Sequence, residues 1–282
     1  MAIELKGVSY AYNPGTVMAV RALVDINLRI EEKSFIAIIG HTGCGKSTLM
    51  QHLNGLIRPL EGTVTFEGED IHAKGFDKRT LRSEVGLVFQ YPEYQLFEET
   101  VFKDVAFGPK NMGLEEAEIR ERVIEALTLV NMGEAYYEKS PFLLSGGEKR
   151  RVAIAGVLAM RPRYLILDEP AAGLDPVGRR NILKGIRRLN QSLGMTIIMV
   201  SHSMEDVAMY ADRIVVMNDG KIVYDDVPAD VFSHDEDLEA MGLSVPVMTK
   251  VLLGLKRRGW DVRTDCHDMA SAKAEILKAV AR

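Results

Sequence analysis

The chain has 282 residues, and its 35 Lys+Arg against 40 Asp+Glu leave a formal charge of −5. A composition that is 47% hydrophobic and 27% charged suits a folded α/β chain with a sizeable core and excludes wholesale disorder. The mild acidity also argues against nucleic acid as a partner, because phosphate backbones are bound by clustered Lys and Arg.

The first 39 residues read as β. Ile3, Leu5 and Val8 begin a strand, Asn13-Pro14-Gly15 is a turn, and residues 20–30 alternate through Ile26, Leu28 and Ile30. Phe35–Ile39 is a continuous apolar run, as in a parallel strand buried on both faces. Residues 46–58 are expected to be helical up to Arg58-Pro59, and residues 64–66 and 85–89 to be strands. Residues 115–130 carry Ile119, Val123, Leu127 and Val130 on one helical face, with Glu118 and Arg122 spaced to pair. A helix over 145–160 precedes strands at 164–167, 196–200 and 213–217. Strands alternating with helices imply an α/β domain with a largely parallel sheet. Past residue 230 the texture changes. Residues 233–239 are acid-rich, Met248, Val251, Leu252 and Leu255 mark an amphipathic helix, and a last helix is expected near 271–281. The expected division is a main domain at 1–230 and an appendage at 231–282. No run approaches the roughly 20 apolar residues of a membrane-spanning helix, and the Glu4-containing N-terminal stretch does not read as a signal peptide. Two cysteines, Cys44 and Cys266, are too few for a disulfide framework and suit a reducing compartment.

Gly40-His41-Thr42-Gly43-Cys44-Gly45-Lys46-Ser47 fits G-x-x-x-x-G-K-[ST], between an apolar strand and a helix. Glycines let the backbone curl so that its N–H groups converge on an anion, and the helix N-terminus adds partial positive charge. Lys46 is expected to reach the β- and γ-phosphates, Ser47 to ligate Mg²⁺, and Thr48 to contact the α-phosphate. Cys44 inside this loop reads first as a small residue contributing only its backbone amide. The alternative is that, because thiols at helix N-termini tend towards low pKa, it reacts with thiol reagents with loss of nucleotide binding and is protected by ATP.

An apolar strand ending in Asp168-Glu169 supplies the complementary half of the chemistry. Asp168 can hold Mg²⁺, directly or through water, and Glu169 can polarise the attacking water. Gln90 closes the strand at 85–89, where its amide can reach Mg²⁺ and the lytic water. His202 follows the strand at 196–200. In Leu144-Ser145-Gly146-Gly147-Glu148, Ser145 and Glu148 have capping-box spacing, and the Gly146 and Gly147 amides open an anion site at the same helix start.

These motifs, in this order, resemble an ABC-type ATPase over residues 1–230. The resemblance implies a P-loop NTPase of the RecA-like cassette type. Its N-terminal antiparallel β subdomain would be joined by a helical subdomain at about 91–160 that carries the signature, residues 144–148. Glu148 stands where the family usually has Gln. Asp175, in Ala172-Gly173-Leu174-Asp175, resembles the D-loop acid, and Tyr12, with Tyr10 as the alternative, the aromatic that stacks on adenine. By the same resemblance two cassettes face head to tail, with ATP between the P-loop of one and the signature of the other. His202 would contact the γ-phosphate and Glu169 would act as general base.

A narrower resemblance rests on Val88-Phe89-Gln90-Tyr91-Pro92-Glu93-Tyr94-Gln95-Leu96-Phe97-Glu98-Glu99-Thr100, on residues 144–156, and on Glu169-Pro170-Ala171-Ala172-Gly173-Leu174-Asp175-Pro176. It is to the ATP-binding subunits of energy-coupling factor (ECF) importers, the second of two paralogue types. That family implies a second ATPase subunit, identical or paralogous, a membrane coupling subunit (EcfT-type) and a substrate-binding membrane subunit (S component). It implies a peripheral place on the cytoplasmic face of the cell membrane, uptake of vitamins, other micronutrients or transition-metal ions, and a dimerising role for residues 231–282. Phe97, Glu98 and Glu99 form an acidic, aromatic run suited to a basic element of the membrane partner. The competing readings are the ATPase of another ABC importer class, a non-transport ABC ATPase, and a small-molecule kinase.

Overall fold

The structure, a computed structural model, describes residues 2–280. Strands β1 (Ala2–Tyr12) and β2 (Val20–Glu31) pair antiparallel, and β1 also pairs antiparallel with β4 (Glu61–Phe66). With β5 (Glu69–Asp70) they form a four-stranded sheet in the order β2-β1-β4-β5. The alternation in the sequence is what buries one face of it: Ile26, Leu28 and Ile30 point inward with Ile3, Leu5 and Val8.

The second sheet runs β10-β9-β3-β8-β7-β6. Its strands are β3 (Phe35–Ile39), β6 (Val85–Val88), β7 (Tyr164–Asp168), β8 (Thr196–Val200), β9 (Arg213–Asn218) and the antiparallel edge β10 (Lys221–Asp226). The other pairings are parallel, and every residue of β3, β7 and β8 is buried. Alternate residues of these strands enter different cores. Ile36, Ile38, Ile166 and Ile198 pack towards the antiparallel sheet, while Phe35, Ala37, Ile39, Leu165 and Ile197 pack on the helical side. Parallel order puts the C-terminal ends of β3, β6, β7 and β8 on one edge, where Gly40, Gln90, Glu169 and His202 all follow.

The helices are α1 (Lys46–Leu53), α2 (Lys78–Glu84), α3 (Val101–Met112), α4 (Glu116–Leu129), α5 (Gly146–Leu158), α6 (Pro176–Leu193), α7 (Met204–Tyr210), α8 (Pro228–Ser233), α9 (Asp235–Ala240), α10 (Val247–Arg257) and α11 (Met269–Val280). The Glu118–Arg122 pair forms at 2.7 Å on α4.

Several expectations need adjustment. The helix expected over 46–58 ends at Leu53. Asn54 caps it and holds the Val85 carbonyl with its side chain, and Gly55 then turns the chain at φ +67°, where a Cβ would meet Leu81 at 2.9 Å. The strand expected over 85–89 stops at Val88. The last helix begins two residues early, and its expected end, Ala281, lies outside the described residues. Beyond residue 230, Val231, Phe232, Leu238, Leu243 and Val245 belong to the main core. A separate small core of Leu252, Val262 and Ala272 forms between α10 and α11.

Candidate functional site

The loop after β3 is held by contacts that admit only glycine. A Cβ on Gly40 would lie 2.4 Å from the Met217 carbonyl, and one on Gly45 would lie 2.2 Å from that of Ala22. Gly45 also enters α1 with φ +105°, a left-handed conformation closed to most side chains. Such a turn feeding a helix gathers backbone amides into an anion nest. Thr42 and Gly43 lie exposed at its tip, and His41 rests 3.5 Å from Asp219. Lys46 is only 7% exposed, and its ammonium donates to the Gly40 and His41 carbonyls at 2.7 and 2.9 Å, which aims it along the loop. Ser47 donates its hydroxyl hydrogen to Asp168 at 3.3 Å, joining the ends of β3 and β7.

Cys44 follows the plainer of its two readings. Its side chain is 1% exposed and packs in the core beneath the loop, and burial pushes the thiol pKa up despite nearby Lys46. Desolvation of the thiolate outweighs the helix terminus, so the reactive alternative is withdrawn and only the backbone of Cys44 faces the loop chemistry.

Tyr10 and Tyr12 divide into two roles. Tyr10 sits edge-on to the buried His52 and packs on the core. Tyr12 is 40% exposed, and its hydroxyl shares a 3.1 Å hydrogen bond with Thr48 at the start of α1. Of the two, Tyr12 is the more exposed and the one bonded at the start of α1.

At the tip of β7 two carboxylates meet. Asp168 is buried, which raises its pKa. Glu169 adopts φ +51°, a left-handed turn that a non-glycine residue rarely takes, and its Oε1 is buried without a hydrogen-bond partner. Desolvation, reinforced by the charge of Asp168, pushes Glu169 up to about 7. His202 Nε2 lies 3.6 Å from Glu169 Oε1. Burial, with the charge of Lys46, lowers the histidine's pKa, so it is neutral at pH 7. Glu169 and His202 line one open cleft together with Arg179 and Asp206.

The signature residues stand apart from this group. Ser145 caps α5 in a complete capping box: its Oγ accepts from the Glu148 N–H at 3.4 Å, and Glu148 accepts from the Ser145 N–H at 2.8 Å. The Tyr136 hydroxyl also donates to Glu148 at 2.8 Å. Ser145 and Gly147 border a cleft of about 390 Å³ whose opposite wall is Gly173, Leu174, Asp175 and α6. Gly146 is exposed, and a Cβ there would meet nothing within 4 Å. Asp175 caps α6, accepting from the Gly178 N–H at 3.0 Å. No P-loop residue lines the signature cleft.

Gln90 is exposed, and its carbonyl accepts from Arg150. Farther along, Asp104 folds the 97–99 run by accepting from the Phe97 and Glu98 N–H groups, each at 2.9 Å. Glu99 is paired with Lys103 at 2.6 Å. Phe97 stacks edge-on to Phe107 on a cleft of about 480 Å³ that Arg79 and Arg82 also line. The run is therefore less acidic in its setting than its sequence implies. Sequence reasoning missed Asp104 and Arg150, since a lone acid in a helix and one member of Lys149-Arg150-Arg151 both read as solvated charge.

Comparison with known proteins agrees with this geometry. The ABC transporter family profile matches residues 23–172. The chain is 53% identical over 278 residues to the energy-coupling factor transporter ATP-binding protein EcfA2 of Caldanaerobacter subterraneus subsp. tengcongensis, covering 99% of this chain and 97% of that one. It is 51% identical over 281 residues to EcfA2 of Clostridium perfringens, covering 99% of each. Among solved structures it resembles cbiO1 of Clostridium perfringens, part of the ABC transporter complex cbiONQ (TM-score 0.75, 40% identity, 91% of this chain and 96% of that one). It also resembles the dimeric cassette MJ0796 in a post-hydrolysis state with ADP and Pi (TM-score 0.71, 29% identity, 80% and 98%). The chain belongs to the ABC transporter family, among the ATP-binding proteins of energy-coupling factor transporters, and its chemistry is ATP hydrolysis.

Proposed function

We propose that two such cassettes bind ATP head to tail, each chain supplying a P-loop to one nucleotide and a signature to the other. The observation carrying this is that Ser145 and Gly147 open onto a cleft shared with Gly173, Leu174, Asp175 and α6, with no P-loop residue in its lining. ATP then favours the closed dimer because only that state engages both elements, and hydrolysis removes the bridge. Tyr12 stacks on the adenine, the amides of residues 40–47 with Lys46 hold the β- and γ-phosphates, and Thr48 contacts the α-phosphate. The signature amides of the opposite chain close the site, with Asp175 beside them at the junction.

Ser47, Asp168 and Gln90 present hydroxyl, carboxylate and amide oxygens, the hard donor set that Mg²⁺ prefers, and the 3.3 Å Ser47–Asp168 contact shows that two of them converge. Bound there, Mg²⁺ would offset phosphate charge. Glu169 takes a proton from water as the water oxygen attacks the γ-phosphorus, and ADP leaves. A pKa of about 7 makes Glu169 a base matched to neutral pH. His202 holds a γ-phosphate oxygen.

The membrane partners are a coupling subunit and a substrate-binding subunit at the cytoplasmic face. They choose the cargo, a vitamin, another micronutrient or a transition-metal ion. The coupling subunit docks at the Phe97 cleft, reading Glu98 and Glu99. Residues 231–282 serve dimerisation, although the part through Val245 packs on the cassette's own core. The reading is tested by Glu169→Gln, which should retain ATP, form a stable dimer and stop turnover. A variant that binds ATP but stays monomeric at saturating nucleotide would overturn the shared site. Reversing Glu98 and Glu99 to Lys should abolish uptake while sparing nucleotide affinity, and unchanged uptake would remove the run from coupling.

A further inference from the structure

Arg150 is an oddity on α5. It stands between Lys149 and Arg151, yet its side chain is only 6% exposed. The guanidinium donates to the Ala172 carbonyl and, at 3.3 Å, to the Gln90 carbonyl, with the Glu93 carboxylate 3.6 Å away. Burying a guanidinium without such partners would cost several kcal/mol, so the three contacts account for its position. Glu93 in turn has one oxygen buried with no hydrogen bond, which leaves Arg150 as its charge partner.

The two carbonyls belong to the two segments that matter most. β6 and β7 are adjacent parallel strands, with Val88 opposite Leu167. The chain leaves β6 towards Gln90 and leaves β7 into the Glu169 turn. That turn closes when the Ala172 N–H donates to the Glu169 carbonyl at 3.1 Å, and Glu169 is its left-handed residue. Arg150 therefore bridges the two segments just past the point where sheet pairing ends, and it does so from the helix that begins at Ser145. The guanidinium spreads its donors over a rigid planar fork, so it reaches two carbonyls on separate segments in a fixed geometry, whereas a lysine offers its three donors from one freely rotating nitrogen.

We propose that Arg150 is a positioning residue that ties the Gln90 segment to the Glu169 turn, so that movement of either reaches the general base. The inference rests on the assignment of Glu169 as base. A displacement of the Gln90 segment pulls on the guanidinium, and the guanidinium holds the carbonyl three residues beyond Glu169. The turn then carries the carboxylate into or out of line with the attacked phosphorus.

The experiment uses the full chain, with steady-state ATP hydrolysis from pH 5.5 to 9, affinity for a fluorescent ATP analogue, and thermal unfolding of each variant. Arg150→Met should lower kcat at least tenfold while KM and nucleotide affinity stay within threefold, and it should move the acid limb of the pH–rate profile. Arg150→Lys should recover part of the rate. A kcat within twofold of the parent with an unmoved limb overturns the proposal, as does a lower unfolding temperature with normal kcat per folded molecule, or a loss of nucleotide affinity equal to the loss in kcat. If Arg150→Met does not fold, Glu93→Gln takes its place. It keeps the donors and removes the counter-charge, and should give a severalfold fall in kcat of the same kind, while an unmoved kcat and limb count against the proposal. Glu169→Gln run in parallel separates the two ideas. Turnover surviving in that variant defeats the base itself, whereas a dead Glu169→Gln beside a normal Arg150→Met defeats only the role of Arg150.

Discussion

Glu169 and Glu148 are the same residue at two ends of one machine, and their surroundings drive them apart. Glu169 has a buried, unpartnered oxygen beside another carboxylate, and its pKa is pushed up to about 7. Glu148 accepts hydrogen bonds from Ser145 and Tyr136, and they pull it down to about 2. Desolvation wins in the first case and hydrogen bonding in the second. One acid is left able to exchange a proton at neutral pH. The other is fixed as an anion that holds a helix start in shape.

The largest effect that can break this contrast is Glu169→Gln. Removing a general base lowers kcat by about 10² to 10⁴, with nucleotide binding retained. The same variant tests the environment independently. The folded-state pKa of Glu169 lies above its unfolded value, so its contribution to stability is fully present below about pH 4.5 and is lost as pH rises through about 7. A neutral Gln escapes that loss. Glu169→Gln should therefore unfold at higher temperature than the parent at pH 8, by up to about 3 kcal/mol of stability, and match it at pH 4 and below. Equal stability at both pH values would show that the carboxylate is not desolvated.

The pH–rate profile is the next sharpest. With a base near pKa 7 in the free chain, kcat/KM falls about tenfold per pH unit on the acid side and levels off above pH 8. A limb near 4.5 would mean that Glu169 sits in water.

Thiol labelling extends the comparison to the buried side of the P-loop. Cys266 is partly exposed and Cys44 is buried, so a polar maleimide should label Cys266 first, with Cys44 modified only on unfolding and regardless of ATP. ATP-sensitive labelling of Cys44 would restore the alternative that the structure withdrew.

What was legible in the sequence divides along the same physical line. The P-loop, the strand tip at 168–169 and the capping box were readable because each is set by contiguous residues whose types and spacing carry the chemistry. The apolar runs of β3, β7 and β8 announced a doubly covered sheet. Helices α3 and α6 carried weaker signals: Gly108 and Pro109 interrupt the first, and Gly178 and Gly185 the second, so tertiary packing decides them. The thiol of Cys44 read two ways, and Arg150 was not readable at all. Helix-terminus chemistry predicts a reactive thiol and a basic run predicts solvated charge. Whether each side chain is buried depends on strands and helices far away in the chain.

The smallest effect is the most specific one. Glu148→Gln keeps the shape of the capping box, since Gln can also accept from the Ser145 N–H, and it should cost under about 1 kcal/mol at pH 7. Glu148→Ala removes the acceptor for both Ser145 and Tyr136 and should cost about 1 to 2 kcal/mol. The pKa of Glu148 is depressed in the fold, so its stabilising contribution is present above about pH 4.5 and disappears as pH falls through about 2. The stability gap between the parent and Glu148→Gln should therefore close on acidification, opposite in direction to the gap that Glu169→Gln opens on alkalinisation. Thermal unfolding of both variants across pH measures the two slopes. If they run in the same direction, the two glutamates do not occupy opposed environments, and the division between a proton-exchanging acid and a structural one fails.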